Sequence, residues 1–362
     1  MFMMVGHLTV YLLVLFLLLM VLLFWRKQLQ LAKIANISGP MTLPFIGSSY
    51  QLIGGDLSDT FRRLREIRRK YGNTVRLSFG NHLIIIVTEP DSIERVIANK
   101  ALVDRIELAK LMLRDTFRNG ILINSGDTWR VHRKLLSALF HNSYLENFAK
   151  IFSKNATLLA DNIAKIPKET TFDTYSYAIL CTIDIITETV IGGTGNFQAT
   201  MNTSFADTYS YVLHCIGERV RSPWLYIDFL YKKTEQWKKM KKRIDVIYEH
   251  VENLLKERKE KYKESTKNGE VNKEFYIFEV LMESGEVSEK EMVEECFNMM
   301  TAGSETTATV FAFTLAALGE HQDVQEKAME EQLNIFHDDL NRPVTYDDLQ
   351  KMTYLDQVRI YI

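Results

Sequence analysis

Apolar positions recur at three- and four-residue intervals along most of this chain, and the elements they predict are mainly helices. Over 59–71, Phe61, Leu64 and Ile67 form an expected inner face, while Arg62, Arg63, Arg65, Arg68, Arg69 and Lys70 crowd the other side. Residues 74–79 alternate polar and apolar, Gly80-Asn81 marks a turn, and 83–87 is a continuous apolar run, so one β-hairpin is expected. Pro90 then opens a helix, with Asp91 adding negative charge to its first turn. Residues 142–285 read almost wholly as helix, including an amphipathic stretch over 175–192. A mixed-charge, solvent-laced helix follows over 238–263, leading into a polar loop. The expected fold is mainly α with a small β-sheet region.

The longest helical pattern, 289–319, carries Val293, Phe297, Met300, Val310, Phe313 and Leu315 at roughly helical spacing. Its centre, Ala302-Gly303-Ser304-Glu305-Thr306-Thr307, departs from that pattern. Glycine costs ~1 kcal/mol relative to alanine inside a helix. Threonine is stiff at χ1, and its hydroxyl can bond back to the carbonyl one turn earlier. Ala302, Thr306 and Val310 are four apart and share a face, flanked by Gly303 and Thr307. Such a face suits a close crossing of another helix. It equally suits a flat, bulky group with a hydroxyl and a carboxylate beside it.

A second cluster is Trp129 and Arg133, stacked one helical turn apart. An indole N–H and a guanidinium fork aimed the same way can grip a carboxylate, or simply form a cation–π contact. Asp184 and Glu188 also lie four apart, but no His or Cys accompanies them, and a structural role is expected. No phosphate loop, no nucleophile elbow and no metal-ligand spacing is present in the sequence.

With 362 residues and 46% hydrophobic content the chain can bury a large core, and a net charge of −2 gives no reason to expect nucleic acid as a partner. Cys181, Cys215 and Cys296 are widely spaced and fit reduced thiols facing the cytosol. The uncharged, leucine-rich run 8–25 is long enough for a transmembrane anchor. Arg26, Lys27 and Lys33 follow it and no Lys or Arg precedes it, which puts the body on the cytosolic side. The expected organisation is an anchor with its basic flank over 1–36 and a catalytic domain over 37–362. Pro40, Pro44, Gly39 and Gly47 fix an extended path between the two, read as a plain linker or a hinge.

Ala-Gly-Ser-Glu-Thr-Thr over 302–307 resembles the oxygen-binding motif of the haem-thiolate monooxygenases, the cytochromes P450. Trp129 and Arg133 resemble that family's W-x-x-x-R motif about 170 residues earlier, and the anchor, hinge, basic helix and hairpin lie in the family's order. The segments 184–189 and 129–140 most resemble its animal fatty-acyl-hydroxylating group. The resemblance implies haem, NADPH-derived electrons passed on by a reductase, a hydrophobic small-molecule substrate and an endoplasmic reticulum membrane setting. Arg130 and Lys134 would lie on the basic surface that the family uses to dock the reductase, or on a solvated face. It implies that Trp129 and Arg133 hold a haem propionate, that Ala302 and Gly303 face the haem, that Thr306 hydrogen-bonds oxygen and that Glu305 helps deliver protons. Some members of the group carry Glu at the position of Ala302 and esterify it to the haem, which alanine cannot do.

The resemblance also has a limit. Residues 347–358 look like the lead-in to the family's E-x-x-R helix, but neither that motif nor the F-x-x-G-x-R-x-C-x-G segment occurs up to Ile362. The expectation is a carboxy-terminally truncated member that is inactive as given, with a non-catalytic, membrane-anchored product that does not bind haem as the alternative.

Overall fold

The computed structural model describes residues 11, 14, 15, 18–22, 25, 26, 28–99, 101–137, 140, 142–267, 276–337, 339, 340 and 342–361. Much of the 8–25 run, and the polar loop expected after the mixed-charge helix, lie outside the described residues. Contacts divide the chain into two compact units, residues 1–112 with 213–238, and residues 113–212 with 239–362.

The first unit is built on the expected hairpin. Strand β1, Thr74–Phe79, pairs antiparallel with β2, His82–Val87, in register from Thr74 opposite Val87 to Phe79 opposite His82. Gly80 turns the chain at φ +56°, a left-handed value that glycine adopts freely. Helix Leu57–Tyr71 starts with a reciprocal Asp56/Asp59 cap and buries Thr60 and Ile67. Phe61, expected inside, is 61% exposed. Thr60 and Ile67, seven residues apart, define the inner line, and Phe61 sits roughly 100° of helix rotation away from Thr60. Arg63 does not join the solvated face either, since its guanidinium donates to the carbonyls of Ile53 and Gly54 at 2.7 and 2.9 Å.

The proline- and glycine-rich segment is fastened to the hairpin. Arg76 donates its backbone N–H to the Ser38 carbonyl at 2.9 Å and its Nε–H to the Ile37 carbonyl at 2.7 Å. A Cβ on Gly39 would stand 2.2 Å from the Arg76 carbonyl oxygen, so only glycine allows this approach. Within the same unit Arg219 is buried and fully engaged. It donates to the carbonyls of Leu225 and Leu111 and to Asp228, and lies over the Tyr231 ring.

The second unit is helical. Its core is the packing of helix Thr174–Ile191 on the central helix Glu289–Glu320. A Cβ on Gly303 would lie 2.7 Å from Ile186 Cδ1, and the Thr182 hydroxyl donates to the Ser304 carbonyl at 3.0 Å. Thr174–Ile191 begins at the Asp173 cap and ends at Gly192, which is left-handed at φ +74°. Among the described residues it is the one helix long and apolar enough to cross a membrane, yet most of it is buried in this core. Asp184 and Glu188 point to separate tasks. Asp184 accepts the backbone N–H groups of Phe197 and Gln198, and Glu188 pairs with Lys154.

Candidate functional site

The central helix begins at Ser288, whose hydroxyl caps Glu291 while the Glu291 carboxylate returns the bond. Its first half is buried, polar side chains included: Glu294, Glu295, Asn298, Thr301 and Ser304 are all at most 1% exposed. Beyond Ser304 one side opens, and Ala302, Thr306, Thr307 and Val310 are exposed. An open pocket of about 670 Å³ lies there, walled by Thr306, Thr307, Val310 and Phe311 on the helix and by Met352 and Leu355 opposite. Thr306 donates its hydroxyl hydrogen back to the Ala302 carbonyl at 2.7 Å, which leaves the Oγ1 lone pairs toward solvent.

The neighbouring residues are turned elsewhere. Gly303 meets Ile186 at the helix crossing. Glu305 accepts a hydrogen bond from the Tyr175 hydroxyl at 2.5 Å. Burial, then this bond, raises the Tyr175 phenol well above the tyrosine range. Tyr209 is pushed up as well, by burial and by the charge of Glu305. The two readings of the small-residue stretch therefore divide between residues: Gly303 and Ser304 serve the crossing, while Ala302 and Thr306 share the open face.

Trp129 and Arg133 ride on helix Gly126–Ser137. Trp129 is half-buried and Arg133 exposed. The Arg133 guanidinium makes no ion pair among the described residues, whereas Arg130 is held by Asp127 at 2.6 Å. Between them lies a residue that sequence reasoning passed over. His132 is buried, and its Nδ1 meets Glu295 Oε1 at 2.6 Å. Glu295 Oε2 accepts the Ile121 N–H at 3.1 Å, and Glu294 Oε2 accepts that of Asn119 at 3.2 Å. Asn298 donates to the Phe117 carbonyl at 3.0 Å. The signal available in the sequence was helical phase: stepping back from Phe297 and Thr301 along the buried side lands on Glu294.

All three cysteines are buried and free of disulfides. Burial pushes the Cys181 thiol up to about 12, and burial followed by the charge of Glu295 raises Cys296 further. Among the described residues no group of His, Cys, Asp and Glu is arranged to hold a metal ion.

An open small-residue face with a free-facing threonine, on a helix tied to a tryptophan–arginine pair, is the arrangement to compare with known proteins. The profile of one family, cytochrome P450, matches residues 37–359. The chain belongs to the cytochrome P450 family. Its similarities to individual proteins agree. It is 28% identical to cytochrome P450 4c21 of Blattella germanica over 93% of this chain and 69% of that protein. It is 27% identical to cytochrome P450 4d2 of Drosophila melanogaster over 92% and 69%. It is 26% identical to cytochrome P450 4V2 of Mus musculus over 88% and 64%. The chain thus spans roughly two thirds of the length of these family-4 relatives. Membership makes haem iron and monooxygenation the cofactor and chemistry of the family to which these residues must answer. The residues present fit one side of a haem in two respects: Ala302 leaves its side of the helix open, and Arg133 is exposed with its guanidinium in no ion pair among the described residues. The buried, proton-holding thiols of Cys181 and Cys296 do not suit the thiolate side.

Proposed function

We propose that this cytochrome P450 forms the oxygen-side wall of a monooxygenase acting on a hydrophobic small molecule. In the cell it would be anchored in the endoplasmic reticulum membrane through residues 8–25, with the catalytic domain over 37–362 facing the cytosol. Electrons would come from NADPH through a reductase docked on a basic surface such as that of Arg130 and Lys134. The apolar side chains of Val310, Phe311, Met352 and Leu355 around the pocket support the substrate class. Haem, when bound, supplies the activation of molecular oxygen. Arg133 and the Trp129 indole N–H hold a propionate, and Ala302 leaves room for the ring. Thr306 keeps a proton at Oγ1, bonded to the Ala302 carbonyl, and presents it to the pocket when that bond opens. Glu305 must exchange its Tyr175 bond before it can relay a proton.

The observation that carries this reading is the Thr306 hydroxyl at the edge of an apolar pocket on the same helix turn as Ala302. In the haem-loaded protein, Thr306→Ala is expected to divert electrons from product to peroxide or water at unchanged haem content. Unchanged coupling removes the role given to Thr306. The buried cysteines favour a second reading of this chain: an anchored protein without thiolate ligation. Its reduced carbon monoxide spectrum in membranes is expected to lack the thiolate band, and a clear band would reject that reading.

A further inference from the structure

The same turn of the central helix that binds His132 also grips the segment leading into the Trp129/Arg133 helix. Glu295 uses one carboxylate oxygen on His132 and the other on the Ile121 N–H. Glu294 and Asn298 take the Asn119 N–H and the Phe117 carbonyl beside it. The His132 and Glu295 side chains are 3% and 0% exposed, so the pair is shielded from solvent. Trp129, His132 and Arg133 fall at i, i+3 and i+4, on one face of their helix. Holding His132 therefore fixes the rotation of that helix and the direction in which Arg133 points. Glu295 and Ala302 are seven residues apart, which places them within roughly 20° of each other around the central helix and about 10 Å apart along it. One stripe of the central helix thus holds the clamp helix at one end and offers the open face at the other.

We infer that the buried His132–Glu295 pair is the positioning element that sets the Trp129/Arg133 clamp at a fixed place relative to the Ala302/Thr306 face, so that haem retention depends on two residues that never touch the haem. This rests on the assignment of Trp129 and Arg133 to a propionate. The orienting role matches that of outer partners that hold a cofactor's own ligands in place.

The test uses haem-loaded protein and follows haem transfer to excess apomyoglobin, with hydrogen exchange of residues 126–137 in the haem-depleted protein as a second readout. Expected for R133A is faster transfer. H132F is expected to speed transfer by about tenfold or more, the lower end of the effect of removing such an outer partner. H132N keeps a donor near the Nδ1 position and should restore much of the retention. In the R133A background H132F should add little, because the clamp it positions is already lost. Exchange over 126–137 should quicken in H132F and E295Q, and not in R133A. Should H132F fail to fold, E295Q carries the same comparison, alone and in the R133A background, with H132N as the variant that keeps the contact. Additive effects of H132F and R133A, or unchanged retention in H132F and E295Q while R133A loses haem, would overturn the inference and leave the propionate assignment standing. Unchanged retention in R133A would overturn both.

Discussion

The two halves of the central helix make opposite use of their residues. From Met292 to Ser304 it buries two glutamates, an asparagine and two hydroxyls, each tied to a neighbour. From Thr306 onward it leaves apolar side chains uncovered, with Val310 54% and Phe313 67% exposed. A hydrophobic ranking alone would invert this arrangement. Buried polar groups are retained where they bind something specific, and exposed apolar groups on one side of a helix mark a surface with a use. The first half fixes geometry, and the second is where chemistry has room.

The sharpest way to break this contrast is at Glu295. Glu295→Ala leaves His132 and the Ile121 N–H buried without their partner, and stability should fall by ~3–5 kcal/mol, read as a lower urea midpoint. A change below about 1 kcal/mol would mean that the polar half is no more demanding than a surface, where substitutions usually stay within that range.

Alkali should act next, through one thiol of that half, Cys296, and one on the helix packed against it, Cys181. Cys181 and Cys296 keep their protons in the fold at pH values where the unfolded chain has begun to lose them. The folded state then binds more protons, so stability is flat below the ordinary cysteine value of about 8.5 and falls as pH rises above it. Cys181 alone should cost about 1.4 kcal/mol per pH unit until its folded value of about 12. A Cys181→Ala/Cys296→Ala protein whose urea midpoint falls as steeply between neutral and alkaline pH would assign the loss to other groups.

A smaller effect is expected where the halves join. Gly303→Ala gains about 1 kcal/mol of helix propensity but sets a methyl 2.7 Å from Ile186 Cδ1, and overpacking of that kind costs ~1–3 kcal/mol. The net should be a modest loss that disappears in an Ile186→Val background. Additivity of the two changes in a double-mutant cycle would remove the crossing as the reason for glycine.

The least effect belongs to the open half. Phe313→Ser should shift the urea midpoint by no more than about 0.5 kcal/mol in free energy. A larger loss would show that Phe313 is covered in the folded protein.

Much of this was legible in the sequence. The hairpin formed where alternation met Gly80-Asn81, Pro90 opened its helix, and the central helix ended one residue from the expected place, at Glu320. The division of labour within Ala302–Thr306 was not legible, because spacing puts Gly303 beside the open face while the partner that fills it, Ile186, comes from another helix. The His132–Glu295 contact joins residues 163 positions apart, and no local periodicity reports such a pair. Phe61 was misplaced because three apolar residues at helical spacing outvoted Thr60, which takes the inner line.

Helix Thr174–Ile191 has a consequence during synthesis. Its main partner arrives late: Thr182 bonds to Ser304, 122 residues further along the chain. At a translation rate of ~5–20 residues per second, the ribosome needs roughly 6–24 s to deliver that partner. Through that interval an 18-residue segment that meets the length and hydropathy of a membrane span is without its main packing partner. Asp184 and the threonines along its length are then more than packing residues. They raise the cost of entering lipid while the segment waits.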